Sequence, residues 1–230
     1  MCAAPAGSRL LKPDRIIENR DQSPPPSPAG RAHLNPVQRG YRLIAPLYDY
    51  IFGLALWHGR RLAVSALDVR PGERVLEVGV GSGLSLDLYP RSGSVIGIDI
   101  CDEMLQRARQ RCERKRPALV AGLLQMDVQN MAFADDRFDK AVLMYTLSGF
   151  DDPLAALAEI GRVCKPEALL VIVNRFQSKS VWSRLADRVL MPLYRLMRYR
   201  IDIDADAIVE QAGLELLERK TANLFGYSTV

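Results

Sequence analysis

The stretch Val75 to Gly83, VLEVGVGSG, constrains this chain more than any other. It reads as a buried strand running into a glycine turn and then a helix, with apolar residues at Val75, Leu76, Val78 and Val80 and glycines at Gly79, Gly81 and Gly83. Glycine tolerates positive φ and carries no Cβ, so a ligand can lie against the backbone of such a loop. A helix after the loop would aim free N–H groups at an anionic ligand part. In the dinucleotide fingerprint the third glycine comes three residues after the second. Here Leu84 occupies that place and the third glycine arrives one residue early. An acid, Glu77, stands within the strand end.

The 230 residues suggest one domain with extensions, and a hydrophobic content of 48% is enough for a substantial core. A net charge of +4 is too weak to imply nucleic acid, although clustered basic residues would suit an anionic membrane surface. Cys2, Cys101, Cys112 and Cys164 have no CxxC spacing, and His33 and His58 are the only histidines, so no metal site is expected. The first residues lack an apolar core of signal-peptide length, and no run reaches the roughly 18 apolar residues of a spanning helix. These features point to a cytoplasmic protein with reduced thiols.

Residues 1–35, rich in proline and polar residues, read as a disordered tail or as an arm that orders on contact. Residues 36–70 form an aromatic helical segment that would cover the active site, broken or kinked at Pro46. Its aromatic stripe suits either a core face or a cage for a cation. The basic cluster His58, Arg60 and Arg61 closes it before a helix through Leu67.

Residues 71–230 read as the main domain. A short helix is expected over Ser85 to Tyr89 and a second strand over Ser94 to Ile100. Asp99 lies near that strand's end, 20 residues after Gly79, where an acid accepts hydrogen bonds from ribose hydroxyls. Asp102 is expected to cap the next helix. Further strands are read over Ala118 to Val128, with Asp127 at the end, and Phe138 to Leu147, with Tyr145 at the end. A helix starting at Asp151-Asp152-Pro153 leads into the strand KPEALLVIVNRF. Strands alternating with helices predict a parallel sheet covered on both faces, with ligands beyond the strands' carboxyl ends. The glycines, Asp99, Asp127 and Tyr145 all fall there.

From Ser180 to Arg200 an apolar face, Trp182 to Leu196, alternates with arginines. Such a basic amphipathic helix suits a membrane interface, or equally the domain's own surface or a dimer contact. Another helix is read over Asp204 to Gly213, followed by two closing strands.

From Tyr41 to about Tyr227 the chain resembles the class I S-adenosylmethionine (SAM) methyltransferases, most closely from Leu76 to Phe176. Within them it is most similar to bacterial phosphatidylethanolamine N-methyltransferases, through YDYIFGLALWHGRR, LEVGVGSGLSLDLYP, GIDICDEML, MYTLSGFDDP and RVCKPEALLVIVNRF. The resemblance implies an α/β, Rossmann-like fold: a seven-stranded, mostly parallel sheet, one strand antiparallel, helices on both faces. It departs from the lipid enzymes at Asn174-Arg175-Phe176, where Asn-His-Phe is expected, and at Glu167-Ala168, where Gly-Gly is usual.

The resemblance also implies roles. Gly79, Gly81 and Gly83 would hold the methionine part of SAM, with Glu77 supporting the loop. Asp99 would bind the ribose, Ile100 and Met104 would flank adenine, and Asp127 would accept from its amino group. Met126 and Val128 would add backbone and apolar contact. Tyr41, Tyr48, Asp49 and Tyr145 are the candidate catalytic residues, a cage and proton acceptors for an amine. The product would be S-adenosylhomocysteine. Three readings follow: a lipid N-methyltransferase at the membrane, a soluble methyltransferase of a quinone precursor or other small metabolite, and a SAM-binding protein without turnover.

Overall fold

A computed structural model describes residues 56–90, 93–115, 120–175, 204–221 and 227–229. The proline-rich tail, Tyr41, Tyr48, Asp49 and the basic amphipathic segment 180–200 lie outside the described residues.

The first described helix, α1 (Trp57–Leu67), stops because Asp68 takes a left-handed conformation with φ 43°. The Asp68 carbonyl accepts a 2.6 Å hydrogen bond from Lys140 Nζ, which also lies 2.8 Å from Glu73. The hydrogen bond from Lys140 of β4 ties the end of α1 to the sheet. Arg60 and Arg61 sit inside α1 instead of ahead of it, a correction to the sequence reading.

Strands β1 (Arg74–Val78) and β2 (Ser94–Asp99) are separated by the glycine loop and a single 3-10 turn, Leu86–Leu88. The expected short helix is therefore one turn, too short to present a helix dipole to a ligand. Helix α2 (Asp102–Lys115) follows, then β3 (Val120–Gln125), β4 (Phe138–Met144) and α3 (Pro153–Val163). Strand β5 (Cys164–Arg175), α4 (Ala205–Gln211), β6 (Lys220–Thr221) and β7 (Tyr227–Thr229) complete the described elements. Asp102 is the first residue of α2, not its cap; its carboxylate accepts from Gln106 at 2.7 Å. Asp152 does cap α3, accepting from the N–H groups of Leu154 and Ala155 at 3.0 Å, with Pro153 in the first turn. Asp204 caps α4 in the same way.

The strand order is β3-β2-β1-β4-β5-β7-β6. β1 pairs in parallel with β2 and with β4, while β7 runs antiparallel to both β5 and β6. This is the seven-stranded, mostly parallel α/β sheet anticipated from the sequence, its last two strands reduced to short pieces. Alternation along each strand sends side chains to opposite faces. Leu143 and Ile172 pack with Leu157 and Ile160 of α3 and Ile208 of α4, whereas Val142 and Val173 pack with Val64 and Leu67 of α1 and Leu105 of α2. The chain runs outward from β1 to β3, then returns to β4 on β1's other side. In such sheets the crevice lies where the order reverses, here beyond the carboxyl ends of β1 and β4.

Close docking of α1 over that crevice depends on Gly59. A Cβ there would stand 1.8 Å from the Tyr145 hydroxyl and 3.2 Å from Val173. Gly59→Ala is expected to lower stability by about 1–3 kcal/mol through overpacking, despite alanine's better helix propensity. Adding Tyr145→Phe, which deletes the colliding oxygen, should recover much of the loss. Urea unfolding of the two single variants and the double variant would measure this coupling; strict additivity would disprove it.

Candidate active site

The glycine loop turns back over the end of β2. Gly79 and Val80 donate to the Ile98 carbonyl at 2.8 and 3.0 Å, and Gly83 donates to the Val80 carbonyl at 3.0 Å. Gly79, Gly81 and Gly83 all have positive φ, +70°, +56° and +76°, where a side chain is strained. Their surroundings differ. A Cβ on Gly79 would strike Thr146 at 2.2 Å, and one on Gly83 would press on Leu86 and Ala108 of α2. Around Gly81 nothing lies within 4 Å of that position. Gly81 thus borders open space, while Gly83 packs the loop onto α2 and does not line the cleft.

Below the loop lies Glu77, only 2% exposed. It accepts hydrogen bonds from the Ser85 hydroxyl and, at 2.8 Å, from the Tyr89 hydroxyl. Support of the loop by Glu77, inferred above, has this form: one carboxyl joins the end of β1 to both sides of the 3-10 turn. Burial lifts its pKa to about 7, against the pull of those two donors and of Arg60. Burial and the neighbouring Glu77 together raise the Tyr89 phenol.

Asp99 closes β2. One of its carboxylate oxygens accepts from the Gly81 N–H at 2.8 Å and the other from the Cys101 N–H at 2.9 Å. Burial raises its pKa, opposed by these backbone donors. A carboxylate has about four lone-pair sites, so acceptor capacity remains for a hydroxyl on the ligand. Strand β3 ends at Gln125, earlier than expected, so Asp127 lies two residues beyond it. Its side chain accepts from the Gln129 N–H at 2.9 Å in a local turn.

One cleft gathers these positions. Gly79, Gly81, Asp99, Ile100, Met104, Met126, Asp127, Val128 and Tyr145 all line it. Met104 and Val128 are buried, while Ile100 is exposed at the rim. Tyr145 follows β4 with φ +63°, unusual for a side chain of its size, and is buried. Its N–H donates to the Val173 carbonyl at 2.6 Å. The sequence reading did not assign Arg60, Thr146, Phe150 and Asp151 to this wall, yet they line it. Cys101 lines it too, its thiol pushed up to about 11 by burial and so held protonated.

The cleft suits a ligand with a nucleoside end and a polar tail. Acids after β2 and β3 can take hydroxyls and an amine, apolar residues flank a flat ring, and a loop without side chains admits the tail. Residues 76–172 match a family described as a methyltransferase domain. The phosphatidylethanolamine N-methyltransferase of Cereibacter sphaeroides is 35% identical over 186 residues, covering 81% of this chain and 91% of that protein. The chain belongs to the class I SAM-dependent methyltransferases.

Other members of this methyltransferase family are also similar. The 2-phytyl-1,4-naphtoquinone methyltransferase of Synechococcus elongatus is 34% identical over 158 residues, 64% of this chain and 67% of that one. Among solved structures, Haemonchus contortus phospholethanolamine N-methyltransferase 2, in complex with phosphomonomethylethanolamine and S-adenosylhomocysteine, superposes with a TM-score of 0.63. It is 16% identical and covers 82% of this chain and 47% of that chain, a likeness of fold alone. The methyltransferase's cofactor is SAM, and the open loop at Gly81 beside the Asp99 carboxylate fits its adenosyl and methionine parts.

The buried Glu77 makes a testable demand. The folded protein keeps its proton up to about pH 7, whereas the unfolded chain releases it near 4.5. A raised acid pKa means this group's contribution to stability is fullest at low pH and is lost as pH rises through that window. Glu77→Gln has no such proton to lose. From pH 4.5 to pH 8 it should gain on the order of 3 kcal/mol relative to the parent in urea unfolding. A difference between the two that stays flat with pH would show that Glu77 is charged throughout.

Proposed function

We propose that this methyltransferase transfers the SAM methyl group to the headgroup amine of phosphatidylethanolamine, working at a membrane surface from the cytoplasmic side. One observation carries the reading. Identity to the Cereibacter phosphatidylethanolamine enzyme runs over 186 residues, well beyond the cofactor-binding region 76–172. Residues outside that region, with wall residues such as Tyr145, would be available to recognise an acceptor. Among the described residues no helix is long and apolar enough to cross a membrane. Contact with lipid would fall to peripheral segments such as the basic amphipathic stretch 180–200.

When bound, SAM supplies a methyl group activated on a sulfonium. The chain's contribution is placement. Asp99 would fix the ribose hydroxyls, and Asp127 the adenine amino group. Ile100, Met104, Met126 and Val128 would enclose the ring. Gly79 and Gly81 would let the methionine part lie on the backbone, Glu77 and Gly83 holding the loop from behind. An amine attacks only after losing its proton, and its product is a cation. Tyr41, Tyr48 and Asp49, with Tyr145 on the wall, would form the aromatic and acidic cage that accepts the proton and favours the alkylammonium. Holding the amine in line with the methyl group converts an encounter into a positioned reaction.

A second reading, methylation of a quinone precursor, draws on the naphtoquinone and demethylmenaquinone methyltransferases, 34% and 31% identical over shorter shares of the chain. Labelled SAM should be offered with phosphatidylethanolamine vesicles and, in parallel, with a demethylated menaquinone. Label migrating with N-methylated lipid is expected. Label in the quinone alone would overturn the lipid assignment in favour of the second reading, and label in neither would overturn both acceptors. Within the same assay, Asp99→Ala should abolish SAM binding, whereas Tyr48→Phe should spare binding and slow transfer. Equal loss of SAM affinity in both variants would refute that division of labour.

A further inference from the structure

Two aspartates stand side by side before α3, and the structure gives a task to only one of them. Asp152 caps the helix, accepting from the N–H groups of Leu154 and Ala155. Asp151 is exposed, lines the cleft and enters no hydrogen bond or ion pair. The other acids among the described residues of the wall are engaged. Asp99 accepts from the N–H groups of Gly81 and Cys101, and Asp127 from that of Gln129. Asp151 is thus the one carboxyl of the described wall that the protein leaves wholly to a ligand.

Its backbone is held from both sides. After β4 the chain makes a single 3-10 turn, Leu147–Gly149. Ser148 of that turn and Asn174 of β5 are both fully buried, and the Asn174 amide donates to the Ser148 hydroxyl at 2.7 Å. The Thr146 hydroxyl donates to the Val78 carbonyl of β1 at 3.3 Å. The turn is therefore fastened to β1 and β5 from within, while Gly149, Phe150 and Asp151 line the cleft. The cap at Asp152 fixes the far side. An aromatic residue and a carboxylate on anchored backbone suit a cation. The strand order says which cation. Asp99 and Asp127 follow β2 and β3, on one side of β1; Asp151 follows β4, on the other. With a nucleoside held over β2 and β3, the methyl group lies toward β4, and an acceptor has to meet it there.

We infer that Asp151 binds the ammonium group of the methyl acceptor and thereby selects amines over uncharged acceptors, an inference that rests on the amine reading above. The ammonium substrate and the alkylammonium product carry the same charge, so the pairing acts on KM for the acceptor and little on kcat. The charge of Asp151 also suits the N-terminus of α3, worth a little stability. The two roles differ in what they move: one the acceptor's KM, the other the unfolding midpoint.

Labelled SAM and phosphatidylethanolamine in neutral detergent micelles, which offer no anionic surface, give KM and kcat for the amine. Calorimetry with S-adenosylhomocysteine measures the cofactor site and reports that each variant is folded. Asp151→Asn is expected to raise KM for the amine on the order of 10-fold, the worth of one charge-assisted contact at a partly open site. S-adenosylhomocysteine affinity and kcat should hold. Asp151→Glu keeps the charge and should stay near the parent, whereas Asp151→Lys repels an ammonium and should exceed Asp151→Asn. A KM that ignores this order of charge would overturn the inference, even if urea unfolding showed a small loss of stability, since Asp151 would then serve only the end of α3. An equal loss of S-adenosylhomocysteine affinity would also overturn it, by assigning Asp151 to the cofactor. A parent protein that binds S-adenosylhomocysteine but passes no label to the amine would instead remove the amine reading, and this inference with it.

Discussion

The N–H of Gly81 donates to the carboxylate of Asp99, and this side-chain tie fastens the glycine loop after β1 to the end of β2. The loop between β1 and its 3-10 turn holds three glycines at positive φ, a conformation with no regular ladder to sustain it. Backbone in such regions persists only where its surroundings over-determine it. Here the surroundings are Asp99 in front, the Ile98 carbonyl below, Thr146 beside Gly79 and α2 behind Gly83. The same carboxylate that holds the loop also lines the cleft.

Beneath the loop, a second polar group does work that water does elsewhere. Glu77 is buried with Ser85 and Tyr89 as its donors, and burial favours its neutral form. A buried carboxyl satisfied by hydroxyls can stay uncharged near neutrality. That limits the negative charge below a cleft already lined by three aspartates.

Sequence patterns announced much of this. VLEVGVGSG, the acid 20 residues after its first glycine, and Asp152-Pro153 before an apolar helix are local signals; the strand, the acid and the cap took their expected places, while Gly83 turned from the cleft to α2. The errors were also local. The residues after the glycines seemed helical, but the chain makes only one turn before Pro90 and the next strand. Asp102 has a capping side chain, yet the helix begins on it. The basic residues His58, Arg60 and Arg61 were expected ahead of the helix that in fact contains them. Arg60 is buried because the helix carrying it docks over β4 and β5, a contact between residues far apart in sequence.

By itself the sequence determined the alternation of strand and helix, the positions that must lack a Cβ and the acid that ends β2. These follow from backbone sterics, side-chain period and hydrogen bonding over a few residues, all legible along one dimension. Which residues share a wall was decided by the tertiary structure. Gly83 turns to α2 while Gly81 opens on the cleft, and Tyr145 meets Gly59 and Arg60, because the strand order places β4 between β1 and β5 and α1 packs on β4 and β5. Packing between distant segments sets that arrangement, and no local propensity encodes it.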